Sequence, residues 1–361
     1  MRRTPSSFWF HRILKQAFHG DGKNLAMKIL AFTLPRIPGV RTGGPAMVTV
    51  EVTNECPFTC VTCPREAIPC ERGYISYDLF RKICEECGDN PFVAELTFSG
   101  MGEPLLHRDV ISMAALAKKQ GIPKVRLLTN GLLLDRYRTG EILERGDIDE
   151  IGVSLDALTE NTFFRVKGSR GFRTIEENLR HFLKERRKRR TFRPFVSLHM
   201  LQTREAAAET GDFIRKWEPE LGRGDKILIK DAHSFAGQVP GMAPAKKAEA
   251  ERLPCRQLWE YLYISWDGDV MPCCMDVFRK MRLGNLQTQT LREIWKGGKL
   301  AGLRRIHREG GWNRLPLCET CDTWWYLRPM ALDDRKTRRT PPGRNKKVAS
   351  AHGLCTMDLD Q

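Results

Sequence analysis

Short apolar runs alternate with longer amphipathic segments between residues 47 and 230 of the chain. The short runs are rich in β-branched and aromatic residues, which is typical of buried strands, and the longer segments carry apolar residues at helical spacing. This alternation predicts right-handed βαβ units and a parallel sheet, which is an α/β fold. The predicted strands are 47–52, 92–100, 124–131, 148–157, 194–201 and 226–230, and the predicted helices are 77–87, 109–120, 137–146, 174–187 and 205–217.

The pattern changes after residue 235. Residues 237–254 are rich in Gly, Pro and Ala and predict a linker. An aromatic run, an Asp267-Gly268 turn and a second short run then predict a β-hairpin that ends at two adjacent cysteines. Residues 290–307 predict an amphipathic helix that breaks near Gly297. We therefore expect a second, smaller domain at residues 236–330.

Both ends of the chain are basic, and the formal net charge of the whole chain is +16. Residues 1–45 hold eight Lys or Arg against one acidic residue and form an amphipathic extension that is expected to cap the sheet. Residues 331–361 are basic and poor in apolar residues, so we expect them to be disordered. Such ends can contact an anionic surface or a protein. The basic block at 184–190 is expected to be a solvated face.

No apolar run is long enough to span a bilayer, which excludes a transmembrane protein of the helical kind. His11, Arg12 and Lys15 interrupt the apolar stretch near the N-terminus, so we do not interpret it as a signal peptide. We expect a cytoplasmic protein whose twelve cysteines stay reduced. Their clustering then favours metal ligation.

The first cysteine cluster is "NECPFTCVTC" (54–63), which follows the first predicted strand. Cys56, Cys60 and Cys63 are soft thiolate ligands and favour zinc or iron–sulfur chemistry. A structural zinc site would need a fourth ligand, for which Cys70 is the nearest thiol. A cubane held by three thiolates would leave one iron open for a substrate or cofactor.

Further distinctive residues follow the next three strands: "SGMGEP" (99–104), "TNG" (129–131) and "SLDA" (154–157). In parallel barrels the chemistry lies at these carboxyl ends of the strands. The whole arrangement resembles the radical S-adenosylmethionine superfamily. The resemblance implies a partial (βα)6 TIM-like barrel over residues 46–235, with a [4Fe-4S] cluster on Cys56, Cys60 and Cys63 whose open iron is chelated by S-adenosylmethionine.

The resemblance also implies cofactor contacts at the strand ends. Gly102 would allow close approach of the backbone, and Glu103 would accept from the ammonium group of the cofactor. Met101 and Thr62 depart from the glycine and the aromatic residue that are usual in the family. The adenine motif usual on the fifth strand is also absent. The implied cofactor-binding residues are Gly102, Glu103, Asn130, Ser154 and Asp156.

The second cysteine cluster lies in the C-terminal region. The Cys318-x2-Cys321 pair alone fits either zinc or iron–sulfur. Together with the hairpin "WDGDVMPCC" (266–274) it resembles the SPASM/Twitch extension of radical S-adenosylmethionine enzymes. This resemblance implies one auxiliary [4Fe-4S] cluster, with Cys274 as a bystander that could exchange roles with Cys273, and a structural zinc ribbon is the alternative. The implied ligands are Cys255, Cys273, Cys318 and Cys321.

The remaining candidates have weaker support. Cys84 and Cys87 are spaced to lie on one helix face and are expected to be buried as small hydrophobes. His199, at the end of a predicted strand, is a candidate substrate contact or proton acceptor. Arg165 and Lys167, placed in the loop after "SLDA", are candidate contacts to substrate or to the cofactor carboxylate. No role is assigned to Cys70 or Cys355.

The resemblance implies a radical oxidoreductase that reductively cleaves S-adenosylmethionine to a 5′-deoxyadenosyl radical, which abstracts hydrogen from the substrate. An electron donor such as flavodoxin or ferredoxin is expected. The auxiliary cluster would accept an electron and make the reaction a two-electron oxidation. The 45 residues before the first strand are short for a leader-binding domain, which favours a small-molecule or sugar-like substrate over peptide modification by a maturase. A non-catalytic metal-binding protein that holds nucleic acid is the alternative from another class.

Overall fold

The computed structural model describes residues 43–239, residues 252–324 and a strand at 348–350. The N-terminal extension up to residue 42, most of the predicted linker, Cys355 and the rest of the basic tail lie outside the described residues. Among the helices of the described ranges, none combines the length and the hydropathy of a membrane span.

One sheet runs through the molecule and contains all six predicted parallel strands. Strands β1 to β6 pair in parallel in sequence order. β7 from the C-terminal region pairs in parallel with β1, and the antiparallel β8 and β9 extend that edge. The strands are β1 (Met47–Val50), β2 (Glu95–Phe98), β3 (Lys124–Thr129), β4 (Glu150–Ser154), β5 (Phe195–Gln202), β6 (Lys226–Asp231), β7 (Tyr261–Ile264), β8 (Asp269–Met271), β9 (Gly284–Asn285) and β10 (Val348–Ser350).

The short strand β10 pairs in parallel with β6 at the opposite edge of the sheet. It lies inside the segment for which disorder was expected, so these three residues differ from the expectation. The other edge agrees with the sequence, because the hairpin β7–β8 forms around Gly268, whose φ of +86° lies in the region that favours glycine.

The helices connect successive strands and pack on the outside of the sheet. Fully buried side chains such as Phe80, Met113 and Phe182 form the core between the helices and the sheet. The break predicted near Gly297 separates α8 from α9. The helices are α1 (Tyr77–Asp89), α2 (Val110–Lys119), α3 (Arg136–Arg145), α4 (Glu160–Lys167), α5 (Phe172–Lys188), α6 (Thr210–Trp217), α7 (Gln257–Glu260), α8 (Leu291–Lys296) and α9 (Gly298–Arg308).

Helix α4 corrects the expectation of a loop after "SLDA". The Thr159 side chain accepts a hydrogen bond from Thr162 N and caps the start of the helix. Gly168 ends it in the left-handed conformation, with φ +67°. Both are ordinary cap residues, so the sequence did contain a signal for this helix. The eight-residue helix is too short for its apolar pattern to stand out.

The inner surface of the curved sheet is polar at the amino-terminal ends of the strands. The Arg126 guanidinium donates to Glu95 Oε1 and Glu150 Oε1, both at 3.1 Å. Lys124 Nζ lies 3.0 Å from Glu150 Oε2, and Lys226 Nζ lies 3.4 Å from Glu150 Oε1. Burial alone would raise the pKa of Glu150, but these cations lower it to about 2. We call this group of side chains the basal ion network.

The basal ion network predicts a large effect of Arg126→Met on stability. The substitution leaves two buried carboxylates short of their main partner, so we expect the free energy of unfolding to fall by about 3 to 5 kcal/mol. Urea denaturation followed by circular dichroism measures it. Arg81→Met, which removes an exposed i,i+3 pair with Asp78, is the matched control and should change stability by about 0.5 kcal/mol or less. Equal effects of the two substitutions would contradict the assignment.

Candidate active site

The loop that carries Cys56, Cys60 and Cys63 follows β1 and is tied to the carboxyl end of α4. Thr59 N donates to Lys167 O at 3.2 Å, and Val61 N donates to Val166 O at 3.0 Å. The contact is close, because a Cβ at Gly168 would lie 2.4 Å from Thr59 Oγ1 and 2.5 Å from Thr59 O. The missed helix α4 is therefore the support on which the cysteine loop rests.

The three thiols of this loop are free and partly buried. Burial raises the pKa of each of them, to about 11 for Cys63. The charge of Lys167 acts in the opposite direction on Cys60. Iron that binds here must displace the protons of these thiols. Thiolates bind iron strongly enough for this displacement to occur.

The donor set of this loop has three thiolates, one fewer than a closed zinc site needs. Cys70, the fourth ligand that a zinc site would need, instead accepts from Asn54 Nδ2 at 3.4 Å. In an iron–sulfur cubane each thiolate binds a different iron, so three thiolates leave the fourth iron without a protein ligand. The donor set therefore fits a cubane with one open iron.

Glu103, in the connection between β2 and α2, is buried and organises the carboxyl end of β3. Its carboxylate accepts from Leu105 N at 3.0 Å, Thr129 Oγ1 at 2.7 Å and Asn130 N at 2.7 Å. Burial nevertheless raises its pKa. A carboxylate has about four acceptor positions, so these three donors leave one position for the ammonium group that the resemblance implies.

Glycine is required at position 102 but not at position 101. A Cβ on Gly102 would lie 2.1 Å from Thr53 O and 2.6 Å from Glu55 O, both of which belong to the backbone. The amide of Met101 donates to Glu51 Oε2 at 2.7 Å, an interaction that does not depend on the side chain. The departure from the usual glycine at Met101 is therefore accommodated.

Asp156 and Lys167 form a buried ion pair at the end of β4. Lys167 Nζ lies 2.5 Å from Asp156 Oδ2, and Leu201 N donates to Asp156 Oδ1 at 2.8 Å. Asp156 has a φ of +58°, a conformation that costs free energy in a residue other than glycine and is typical of functional sites. Burial alone would lower the pKa of Lys167, but the negative charges of Asp156 and Cys60 raise it.

The other predicted site residues are divided between the site and the surface. Asn130 Nδ2 lies 3.8 Å from Cys56 Sγ, beside the cysteine loop. Ser154 ends β4 and pairs in register with His199. Arg165 is exposed on α4 and contacts Thr162 of its own helix, so the structure does not bring it into the site.

His199 lies inside the curved sheet and has a partner that sequence reasoning missed. Its Nε2 lies 3.1 Å from Ser197 Oγ, and its Nδ1 lies 3.3 Å from Lys230 Nζ. Burial and the charge of Lys230 hold the pKa of His199 well below its usual value. Burial and the charge of Arg126 lower the pKa of Lys230 to about 8. The four-residue spacing of Lys226 and Lys230 on one strand face was the available signal.

The predicted auxiliary cysteines come together from three segments. Burial and the neighbouring charge of Cys321 raise the pKa of both Cys255 and Cys318 to about 12. Cys273 and Cys274 contact each other; Cys273 also lies within electrostatic reach of Cys255 and Cys321, and Cys274 also contacts Gln257 and Tyr261. The choice of Cys273 over Cys274 as the ligand stays a prediction.

The loop with Cys318 and Cys321 is fixed to the segment that follows β6. Asp322 Oδ2 accepts from Ser234 N at 2.6 Å and from Ser234 Oγ at 2.7 Å. Thr320 Oγ1 donates to Ala236 O at 2.6 Å. Strand β7 adds a second connection, because Tyr263 Oη donates to Glu51 Oε2 at 2.5 Å. The region that holds the second cysteine set is thus fixed to the segments that follow β6 and β1.

Two family models match the chain over the segments that hold these two cysteine sets. The radical SAM superfamily model matches residues 50–214, and the model of the SPASM iron–sulfur cluster-binding domain matches residues 255–322. The chain belongs to the radical SAM superfamily. Membership confirms the α/β fold class and the enzyme class, together with S-adenosylmethionine, a [4Fe-4S] cluster and auxiliary iron–sulfur binding as cofactors. The limits of the expected domains 46–235 and 236–330 stay predictions.

The similar proteins are radical SAM enzymes of different specificity. The tungsten-containing aldehyde ferredoxin oxidoreductase cofactor-modifying protein of Pyrococcus furiosus is 24% identical and covers 79% of this chain and 90% of its own length. The 2-deoxy-scyllo-inosamine dehydrogenase of Niallia circulans is 23% identical and covers 77% and 92%. The structure of Streptococcus suis SuiB bound to precursor peptide SuiA aligns with a TM-score of 0.58 at 16% identity, and covers 79% and 70%.

Gly102→Ala should impair cofactor cleavage by this radical SAM enzyme. The added Cβ meets two backbone carbonyls, so the loop must shift, and a shift of about 1 Å in a positioning segment costs roughly 100-fold in rate. The rate of 5′-deoxyadenosine formation after reconstitution measures the effect. Gly140→Ala on α3 is the control, since nothing lies within 4 Å of its added Cβ. Normal cleavage by Gly102→Ala would refute the close approach of backbone at this position.

Proposed function

We propose that this radical SAM enzyme catalyses the net two-electron oxidation of a small hydroxylated molecule inside the barrel. One continuous sheet supports both thiol sets, and polar side chains lie on its inner surface. This observation carries the proposal. The 2-deoxy-scyllo-inosamine dehydrogenase, which this chain matches over 92% of its length, adds support because it oxidises a small sugar-like molecule. When bound, the first cluster with S-adenosylmethionine would supply radical hydrogen abstraction, and the auxiliary cluster would supply an electron acceptor.

The residues of this chain would hold the cofactors as follows. Cys56, Cys60 and Cys63 would bind three irons of the first cluster, and the second thiol set would bind the auxiliary cluster. Glu103 would use its remaining acceptor position for the ammonium group of S-adenosylmethionine. Lys167 would hold Asp156 in its left-handed conformation at the edge of the site. The contacts assigned to the cofactor are those of Gly102, Glu103, Asn130, Ser154 and Asp156.

Among the interior cations of the described residues, Lys230 is the one that would remain available to a substrate. Lys124, Arg126, Lys167 and Lys226 each pair with a carboxylate within 4.0 Å. For Lys230, the described residues offer His199 Nδ1 as a hydrogen-bond partner but no carboxylate within that distance. Its side chain is partly accessible, whereas His199 is buried. Leaving an ammonium without a partner in a protein interior costs free energy. A substrate oxygen that paired with Lys230 would remove part of this cost.

Lys230 would also take the proton that the oxidation releases. A hydroxyl-bearing carbon that becomes a carbonyl loses one hydrogen atom from carbon, one proton from oxygen and one further electron. A pKa of about 8 gives Lys230 an appreciable neutral fraction near neutral pH, and a base with a pKa near the working pH is the most effective one. His199, which the lysine charge keeps neutral, would hold the amine in place.

Peptide modification is the second candidate, since a solved structure of similar fold contains a precursor peptide. The two candidates differ in what stimulates the enzyme. We expect the small-molecule fraction of a cell extract to accelerate 5′-deoxyadenosine formation and the peptide fraction to leave it unchanged. The reverse result would establish a maturase. The non-catalytic part of the remaining alternative is wrong, because the chain is a radical SAM oxidoreductase.

The surroundings of the enzyme are part of the same proposal. The first cluster needs a one-electron donor, for which a flavodoxin or a ferredoxin is suited by its potential. We place the enzyme in the cytoplasm, where its thiols stay reduced before the clusters form. The basic ends of the chain would contact an anionic surface or protein, such as an acidic electron donor.

Matched cysteine substitutions test the two-cluster mechanism. Wild-type protein reconstituted anaerobically should carry about eight irons per chain. Each of the two substitutions Cys60→Ala and Cys318→Ala should remove one cluster and lower the iron content by about four. Cys60→Ala should form no 5′-deoxyadenosine. Cys318→Ala should still cleave S-adenosylmethionine but form no oxidised product. Cys70→Ala and Cys274→Ala are the controls, with full iron content. Product formation by Cys318→Ala would exclude an electron-accepting auxiliary cluster.

Lys230 substitutions test the interior site. Lys230→Met should lower substrate-dependent turnover by about 100-fold or more and leave uncoupled cleavage of S-adenosylmethionine within about twofold. Lys230→Arg keeps the charge but cannot lose a proton, so it should retain substrate binding and lose kcat. In the wild type kcat should rise as the pH passes about 8, because the neutral amine is the base. Weaker cofactor binding by Lys230→Met would instead assign the lysine to the cofactor.

A further inference from the structure

His307 lies between two of the auxiliary cysteines and has no part in the mechanism above. It is on α9 and only 1% exposed. Its Nδ1 is 3.2 Å from Cys255 N, and its Nε2 is 3.3 Å from Cys318 Sγ. One imidazole ring thus connects the backbone at one proposed cluster ligand with the sulfur of another.

The hydrogen-bond roles of the ring follow from its two partners. A backbone N–H can only donate, so Nδ1 accepts from Cys255 N and carries no proton. The proton of the neutral imidazole is then on Nε2, which faces Cys318 Sγ. We propose that His307 donates an N–H···S hydrogen bond to the Cys318 thiolate and thereby raises the reduction potential of the auxiliary cluster.

The direction of the effect follows from charge. Reduction adds one negative charge to the cluster and its thiolates, and a donor to a ligand sulfur stabilises that charge. Arg252 acts at the same ligand, since its Nη2 donates to Cys318 O at 2.5 Å. Its guanidinium is held over the rings of Trp312 and Trp324, at 5.2 and 5.5 Å from their centroids. The Cys318 side of the cluster is therefore the side on which an added electron is stabilised.

This inference rests on the auxiliary cluster of the proposed function, but its test needs neither substrate nor turnover. In a Cys60→Ala background only the auxiliary cluster should assemble, and a redox titration followed by electron paramagnetic resonance gives its midpoint potential. His307→Met should make the cluster harder to reduce by at least tenfold in the equilibrium constant, which is about 59 mV for one electron. His307→Gln, whose amide N–H can replace the Nε2 donor, should keep most of the potential.

His181→Met, on α5, is the matched control and should leave the potential unchanged. An unchanged potential in His307→Met with full iron content would overturn the inference. If His307→Met fails to hold its cluster, pulsed resonance on the background protein with ¹⁵N-labelled histidine decides. A weak nitrogen coupling supports the hydrogen bond, no coupling refutes it, and a strong coupling would make His307 an iron ligand and also refute it. Failure of the proposed function is distinguishable from these outcomes. If Cys318 is not a cluster ligand, Cys318→Ala will keep its full iron content.

Discussion

The site depends on one chain of hydrogen bonds that joins the first strand to the fourth and fifth. The cysteine loop after β1 donates through Thr59 N to Lys167 O, Lys167 Nζ pairs with Asp156, and Asp156 accepts from Leu201 N of β5. A loop with three thiols would otherwise have many conformations, and fixing each residue costs about 1 to 2 kcal/mol. By resting the loop on a helix end, the fold positions the thiols before any iron binds.

The two thiol sets differ in the donors around their sulfurs, and the difference matches their proposed roles. Among the described side chains, the hydrogen-bond donor at the first set is Asn130 Nδ2, 3.8 Å from Cys56 Sγ. At the second set His307 Nε2 is 3.3 Å from Cys318 Sγ, with the Arg252 guanidinium at the same residue. Backbone amides also donate to sulfurs of both sets, so the His307 donor at Cys318 is the difference that the proposed electron-accepting role of the second cluster would use.

Much of this site could be predicted from sequence because parallel strands bring their carboxyl ends to one edge, so motifs after successive strands must meet. The same reasoning could not find Lys167 in its buried pair, because a short helix between two cap residues has a weak apolar pattern. It also treated the basic block at 184–190 as solvated, whereas Arg186 is 3% exposed and pairs with Asp225. Burial of a charge depends on a partner distant in sequence, which periodicity does not reveal.

The interior of the barrel is divided by charge pairing into a closed layer and an open one. At the amino-terminal ends, Glu95 and Glu150 satisfy Lys124, Arg126 and Lys226, so this layer behaves as a packed core. At the cysteine-loop end, Lys167 is satisfied by Asp156. Lys230 lies between these layers with a neutral histidine as its partner. Since an ammonium without a carboxylate partner is costly, the pKa of Lys230 falls to about 8, and under the proposed function a substrate oxygen would supply the missing partner.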